Sequence, residues 1–219
     1  MTSFCSSEPE IWKEGNGLFL GITGGIASGK STVARMLAQK GAVTIDFDGL
    51  SRVVVEPEKP AWKKIVAEFG EQILRKDRTL DRKKLSEIVF RDPAQRKRLE
   101  SFVHPRIYDE FIRRAEEYTA RDPRAIIQVI VPLLFEANLK HLFHKVLLVY
   151  IPEEMQVERL IQRDALARGA ALQILHCQWP IGQKRDLADF IVDNSGSLGE
   201  TERQVQEIWH KIKAQQSMD

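Results

Sequence analysis

Residues 24–31 read Gly24-Gly25-Ile26-Ala27-Ser28-Gly29-Lys30-Ser31, an octapeptide bracketed by glycines and closed by a lysine and a hydroxyl. No other stretch limits the fold as strongly, because of what flanks it. Leu18-Phe19-Leu20-Gly21-Ile22-Thr23 stands before it, a short apolar run of the kind that forms a buried strand. After it, Ser31 to Lys40 places Val33, Met36 and Leu37 on one helical face, with Gly41 beyond the end as a C-cap candidate. Ala42 to Ile45 is a second apolar run, closing on Asp46-Phe47-Asp48. Strand, glycine loop, helix and strand in this order make a βαβ unit, so the expected class is α/β with a parallel sheet.

The octapeptide fits G-x-x-x-x-G-K-[ST], the P-loop pattern. Its glycines let the backbone turn sharply and bring N–H groups up to phosphate oxygens. The helix that follows adds unpaired N–H groups and the positive end of its dipole. The expected ATP-binding set is therefore Gly24, Gly25, Ile26, Ala27, Ser28, Gly29, Lys30, Ser31 and Thr32. Lys30 supplies a mobile charge toward the β- and γ-phosphates, and the Ser31 hydroxyl is the expected Mg²⁺ ligand. A glycine-rich turn that binds nothing could match the same pattern. It would have no need to follow a strand and open a helix.

The remaining runs extend the sheet. Ala125 to Pro132 is a third core strand and Val146 to Ile151 a fourth, both nearly unbroken in apolar residues, as buried parallel strands are. Phe190-Ile191-Val192 is a short fifth, followed by the turn Asp193-Asn194-Ser195-Gly196 and an amphipathic helix over Glu202 to Lys213. The expectation is a five-stranded parallel sheet in a nucleotide core over about 18–50, 99–151 and 186–219. From Gly49 to about Tyr118 the pattern is charge-rich and helical in period, with breaks expected at Pro57, Pro60, Gly70, Pro93 and Pro105. Between Val55 and Arg98 no buried strand is evident, so about 51–98 reads as a helical insertion. Trp62, Phe69, Ile73, Leu74, Leu85, Ile88, Val89 and Phe90 supply its core. Residues 1–17 are polar and read as a loose extension.

Composition narrows the class of partner. The 219 residues carry 33 Lys+Arg against 31 Asp+Glu, a net charge of +2, far short of the basic excess of a nucleic-acid binder. Only Cys5 and Cys177 occur, which fits a reduced, cytoplasmic setting better than a disulfide scaffold. The most apolar stretch, Ala125 to Phe135, is too short to span a bilayer and contains Gln128 and Pro132. Small-molecule substrates are the expected partners, with no nucleic acid and no membrane, and the pattern is compatible with a monomer.

A GTPase would carry a base-reading motif such as N-K-x-D, and none is present. A motor or transporter ATPase would carry a strand ending in Asp, whereas the third strand runs into Pro132-Leu133-Leu134-Phe135-Glu136 and the fourth into Tyr150-Ile151. A small-molecule kinase remains. It needs a carboxylate to orient the attacking hydroxyl and take its proton. Asp46 and Asp48 close the second strand, and a period of two would point both to one side. Ligands sit beyond the carboxyl ends of such strands, so Asp48, the further out, is the base candidate, with helix capping as its other reading.

Phosphoryl transfer also calls for cations on the γ-oxygens. Arg159 and Arg163 are four apart on one helix face, and either they contact phosphate or they form a solvated ion-pair face with Glu158 and Asp164. His104 precedes Pro105 and either contacts the acceptor or caps local backbone. Glu136 reads as acceptor-side or arginine-pairing, since a carboxylate after an apolar strand needs a partner. The Asn194-Ser195-Gly196 turn offers backbone, at Asn194 and Gly196, to an adenine edge. Cys177 and Trp179 read as packing residues.

Together these residues resemble the dephospho-CoA kinase family. The resemblance rests on Gly21 to Thr32, on Ile45-Asp46-Phe47-Asp48 with Arg52 (the family's D-x-D-x-x-x-R), and on His104-Pro105. It continues through Pro132-Leu133-Leu134-Phe135-Glu136, Gln162-Arg163-Asp164 and Ala188 to Gly196. The resemblance implies transfer of the ATP γ-phosphate to the ribose 3′-hydroxyl of dephospho-CoA, the last step of coenzyme A synthesis. It implies an acceptor-binding helical part and a lid over about 152–185 on the nucleotide core, with MgATP as co-substrate. By the same resemblance, Asp48, Lys30 and Arg163 are catalytic. Asp48, Arg52, His104, Leu133 and Glu136 face the acceptor. Tyr150 stands where the family often has Asp, so no metal role is carried onto it. The alternatives are a kinase for a nucleoside monophosphate or sugar acid, or a nucleotide-gated binding module.

Overall fold

The computed structural model describes residues 17–216, so residues 1–16 of the expected extension lie outside the described residues. Five strands form one sheet: β1 (Leu18–Gly24), β2 (Val43–Asp46), β3 (Ile126–Ile130), β4 (Lys145–Tyr150) and β5 (Phe190–Asp193), in the order β2-β3-β1-β4-β5. β1 pairs in parallel with β3, Leu18 opposite Ile126, and with β4, Leu20 opposite Lys145. β4 in turn pairs in parallel with β5, Leu147 opposite Phe190. β1 is the central strand, so the loop leaving its carboxyl end opens where ligands of open parallel sheets bind.

The α/β expectation is met, and burial explains it. Leu20 and Ile22 of β1, Ile126, Leu147, Val149 and Val192 form one apolar face. Onto it pack Val33, Met36 and Leu37 of α1 (Lys30–Gln39) and Val205, Ile208, Trp209 and Ile212 of α9 (Leu198–Gln216). The alternate residues Phe19, Ile127, Val129, Val146 and Leu148 are also buried, so both faces are covered and the strands read as unbroken apolar runs. On that second face Gly21 must stay glycine, since a Cβ would come within 2.8 Å of Leu134 and 2.9 Å of the Phe143 ring. Gln128 crosses the buried layer: its Nε2 donates to Ala34 O at 2.7 Å and Thr44 Oγ1 at 2.6 Å, tying β3 to α1 and β2.

The chain divides into two compact units. One runs to Ile45 and resumes at Glu117; the other is Asp46–Glu116, wider at both ends than the insertion expected over 51–98. The second unit holds α2 (Phe47–Val53), α3 (Pro60–Phe69), α4 (Arg82–Arg91) and most of α5 (Pro93–Arg121). Its core is Trp62, Ile65, Phe69, Ile73, Leu80 and Leu85, with Leu99, Phe102 and Val103 of α5 packed against them. Pro60 and Pro93 open helices, where a missing N–H is harmless. Pro105 is a correction: it lies inside α5 and does not end it. Phe102 and Val103 anchor the helix before the proline, and Phe111 and Ala115, both fully buried, anchor it after. That packing offsets the missing hydrogen bond. Phe90 is a second correction, at 90% exposure rather than in the insertion core.

Three helices follow β4: α6 (Glu153–Asp164), α7 (Arg168–Leu175) and α8 (Ile181–Arg185). α6 ends at Ala165, which adopts a left-handed φ of 53°. Val157 and Leu160 of α6 then meet Ala171 and Leu175 of α7. Among the described residues no helix is long and apolar enough to cross a membrane.

His144 continues the β1–β4 ladder with its side chain. Phe19 N donates to its Nδ1 at 2.9 Å, His144 N donates to Phe19 O at 3.0 Å, and the rings stack at 5.7 Å. Desolvation holds the imidazole below its ordinary value of 6.5. The unfolded chain therefore binds the proton first as pH falls, and stability present above about pH 6.5 is lost below it. The melting temperature should fall between about pH 7.5 and about pH 5.5, and His144→Phe should flatten that fall. A variant with an undiminished slope would place the titration elsewhere.

Candidate active site

The loop between β1 and α1 has no ladder of its own. Ser28 N donates to Gly25 O at 3.3 Å, and Thr32 N and Val33 N donate to Gly29 O at 3.0 and 3.2 Å. Gly29 caps α1 with φ of 89°, which glycine adopts freely, and Ala27 carries φ of 56° without that freedom. Among the described residues no side chain caps α1, and its first turn has no acid to offset the positive end of its dipole. Lys30 Nζ curls back to Gly24 O at 3.1 Å and Gly25 O at 2.8 Å. The Ser31 hydroxyl lies on the exposed face of the first turn and Thr32 is half-buried. Ser28 is fully buried, and its hydroxyl has no hydrogen-bond partner among the described residues.

Other elements hold the loop from outside. Asn194, just past β5, donates from Nδ2 to Ser28 O at 2.8 Å, and its Oδ1 accepts from Thr201 Oγ1 of α9 at 2.9 Å. A Cβ on Gly29 would overlap Asn194 Nδ2, and one on Gly25 would overlap Gln156 Oε1 of α6. Gln156 is buried and donates to Ile151 O at 3.2 Å. Ile26 and Ala27 pack on the α6–α7 cluster. Ile26 N donates to Gln178 Oε1 at 2.9 Å.

The candidate residues on this unit divide between those held at the loop and those directed elsewhere. Arg159 donates to Asn194 O at 3.0 Å, so it reaches the loop's support, and that carbonyl is engaged. Arg163 makes two 2.8 Å hydrogen bonds to Asp164, a pairing that holds the Asp164 carboxyl below the usual range. At Gly196 a Cβ would overlap Glu200 Oε2, and Glu200 also accepts from Ser197 N and Oγ at 2.8 Å. The turn is thereby built into the start of α9. Leu133 follows β3 and is 45% exposed.

Glu136 pairs with a residue other than the expected arginine. Its Oε1 lies 2.5 Å from the ammonium of Lys184, which is fully buried, and accepts from Trp179 N at 3.0 Å. The partner is a lysine of α8, not an arginine. Trp179 and Cys177 are exposed, against the packing expectation; only the backbone of Trp179 is anchored.

On the Asp46–Glu116 unit the two carboxylates do not alternate along a strand. β2 ends at Asp46 and α2 begins at Phe47, so the period of two stops before Asp48. Asp46 is the N-cap, its Oδ1 accepting from Asp48 N at 3.0 Å. Asp48 is therefore an exposed residue of the first helical turn, and the capping role falls to its neighbour. Arg52 is exposed in the last turn of the same helix, one helical turn from Asp48. His104 is exposed on α5.

Gln156, Gln178, Lys184 and Thr201 were not singled out by sequence. One signal existed for Lys184: it stands three residues after buried Ile181 on a helix, the spacing of a shared face. Gln156 lies in a charge-rich stretch and Gln178 in one without charged residues, and nothing marks either.

The chain matches the family model described as dephospho-CoA kinase over residues 18–200. It is 43% identical over 200 residues to a dephospho-CoA kinase of Syntrophus aciditrophicus, covering 91% of this chain and 85% of the relative. The solved structure of TT1252 from Thermus thermophilus superposes with a TM-score of 0.75 at 33% identity, covering 89% of this chain and 97% of that one. A dephospho-CoA kinase from Campylobacter jejuni gives 0.68 at 30% identity, covering 89% and 96%. A P-loop at the end of the central strand and a family match over nearly all of the described chain lead to one conclusion: this chain belongs to the dephospho-CoA kinase family.

Proposed function

We propose that the chain transfers the γ-phosphoryl group of ATP to the 3′-hydroxyl of the ribose of dephospho-CoA, giving CoA and ADP. The observation that carries this is the loop itself: an uncapped helix N-terminus with Lys30 curled at its mouth, in a chain of this family. The donor set fits a triphosphate. No acid stands in the first turn of α1 to oppose it. Ser31 offers one hydroxyl to Mg²⁺, an ion that takes one or two protein oxygens and completes its shell with phosphate and water. When bound there, Mg²⁺ neutralises charge on the phosphates.

In this reading the loop from Gly24 to Thr32 holds the phosphates through amides its supports leave unbonded, and Lys30 follows the terminal phosphate. Asp48 accepts the proton of the 3′-hydroxyl as its oxygen bonds to the γ-phosphorus and the bond to the β-phosphate oxygen breaks. Arg52, His104 and Leu133 hold the acceptor. The segment from α6 to α8 serves as the lid that excludes water. Arg163 reaches the transferring group by exchanging Asp164 for phosphate, a charge-for-charge exchange.

A coupled assay with ATP and dephospho-CoA should release ADP and CoA. Lys30→Ala should lower kcat at least ~100-fold, the scale for loss of one preorganised charge. Asp48→Asn should lower kcat about 100- to 10,000-fold with intact ATP binding, the range for a general base. Equal turnover in parent and Asp48→Asn would refute the base assignment. Higher kcat/KM for a nucleoside monophosphate than for dephospho-CoA would move the chain to another kinase class.

A further inference from the structure

Gly25 O and Ile26 N are the two ends of one peptide unit, and the structure grips both. Lys30 Nζ donates to Gly25 O at 2.8 Å, and Ile26 N donates to Gln178 Oε1 at 2.9 Å. A peptide is planar, so fixing the direction of its N–H fixes the direction of its C=O. Gly25 has no Cβ to restrain the plane, and the buried Gln156 amide occupies the space where one would stand. Gln178 thus acts on the carbonyl that receives the lysine.

Gln178 is itself held firmly. It lies in the turn between α7 and α8, and the next residue, Trp179, donates its N–H to Glu136 Oε1 at 3.0 Å. The same oxygen takes the Lys184 ammonium at 2.5 Å. Lys184 is fully buried, so neither charge can leave without stranding the other in a poorly solvated place. Glu136 follows β3 and Lys184 lies on α8, so the pair nails the turn to the sheet.

We propose that Gln178 is a positioning residue for phosphoryl transfer: it sets the Gly25–Ile26 peptide, and through it the Lys30 ammonium, with Glu136 and Lys184 as its anchor. The proposal rests on the nucleotide reading of the loop. It gives Glu136 a task on the donor side in place of one on the acceptor.

Gln178→Met keeps the length of the side chain and removes the acceptor. Hydrogen exchange of the Ile26 amide should quicken about tenfold or more once its partner is lost. Gln178→Glu, which keeps an acceptor oxygen, should restore that protection. Because Lys30 reaches both the β- and γ-phosphates and ADP keeps only the first, Gln178→Met should weaken ATP binding about fivefold and ADP binding measurably less. It should lower kcat about tenfold with little change in KM for dephospho-CoA, as a misplaced charge does. Unchanged Ile26 exchange would overturn the proposal, and so would equal weakening of ATP and ADP, which marks a merely structural contact. Exchange and nucleotide affinity need no acceptor. They decide the matter even if the parent fails to phosphorylate dephospho-CoA, a result that would count against the function and not against this contact.

Discussion

A loop that turns amides toward an anion has few left to bond to itself, so much of its shape must be imposed from outside. That requirement organises the unit around β1. Asn194 holds Ser28 O from the end of β5, Thr201 orients Asn194 from α9, and Gln156 fills the space under Gly25 from α6. Ile26 and Ala27 sink into the α6–α7 cluster. The glycines are needed as much for the side chains pressed against them as for their own dihedral freedom. At Gly25 and Gly29 a methyl group would displace a glutamine and an asparagine.

The same logic explains the buried Glu136–Lys184 pair. A pair so placed adds little to net stability, because desolvation offsets most of its attraction. What it supplies is location. Two charges that must stay together hold α8 to the segment after β3, and the turn carrying Gln178 is fixed with them. Arg185, the next residue, rests over the Tyr150 ring at 5.6 Å and adds a second hold on the same short helix.

Periodicity made most of the fold legible. The runs at Leu18–Thr23, Ala125–Pro132 and Val146–Ile151 were visible as strands because both their faces are buried, which removes polar residues from them. The phosphate loop was legible because its chemistry needs particular residues at fixed spacing. Legibility ended where tertiary contacts override local rules. Pro105 reads as a break, yet packing on either side carries α5 through it. Asp46 and Asp48 read as an alternating pair, yet Asp46 caps a helix that starts between them. Glu136 was marked by its need for a partner, but the partner lies far along the chain, beyond what local pattern can supply. Gln156 and Gln178 are ordinary polar letters until folding brings them to the loop.

The distance along the chain between the loop and its supports bears on synthesis. β1, the loop and α1 leave the ribosome well before Gln178, Lys184, Asn194 and Thr201. A nascent chain therefore exposes the nucleotide signature well before it owns the parts that give the signature its shape. A product cut short of Gln178 and Asn194 would carry the motif without the contacts that shape it.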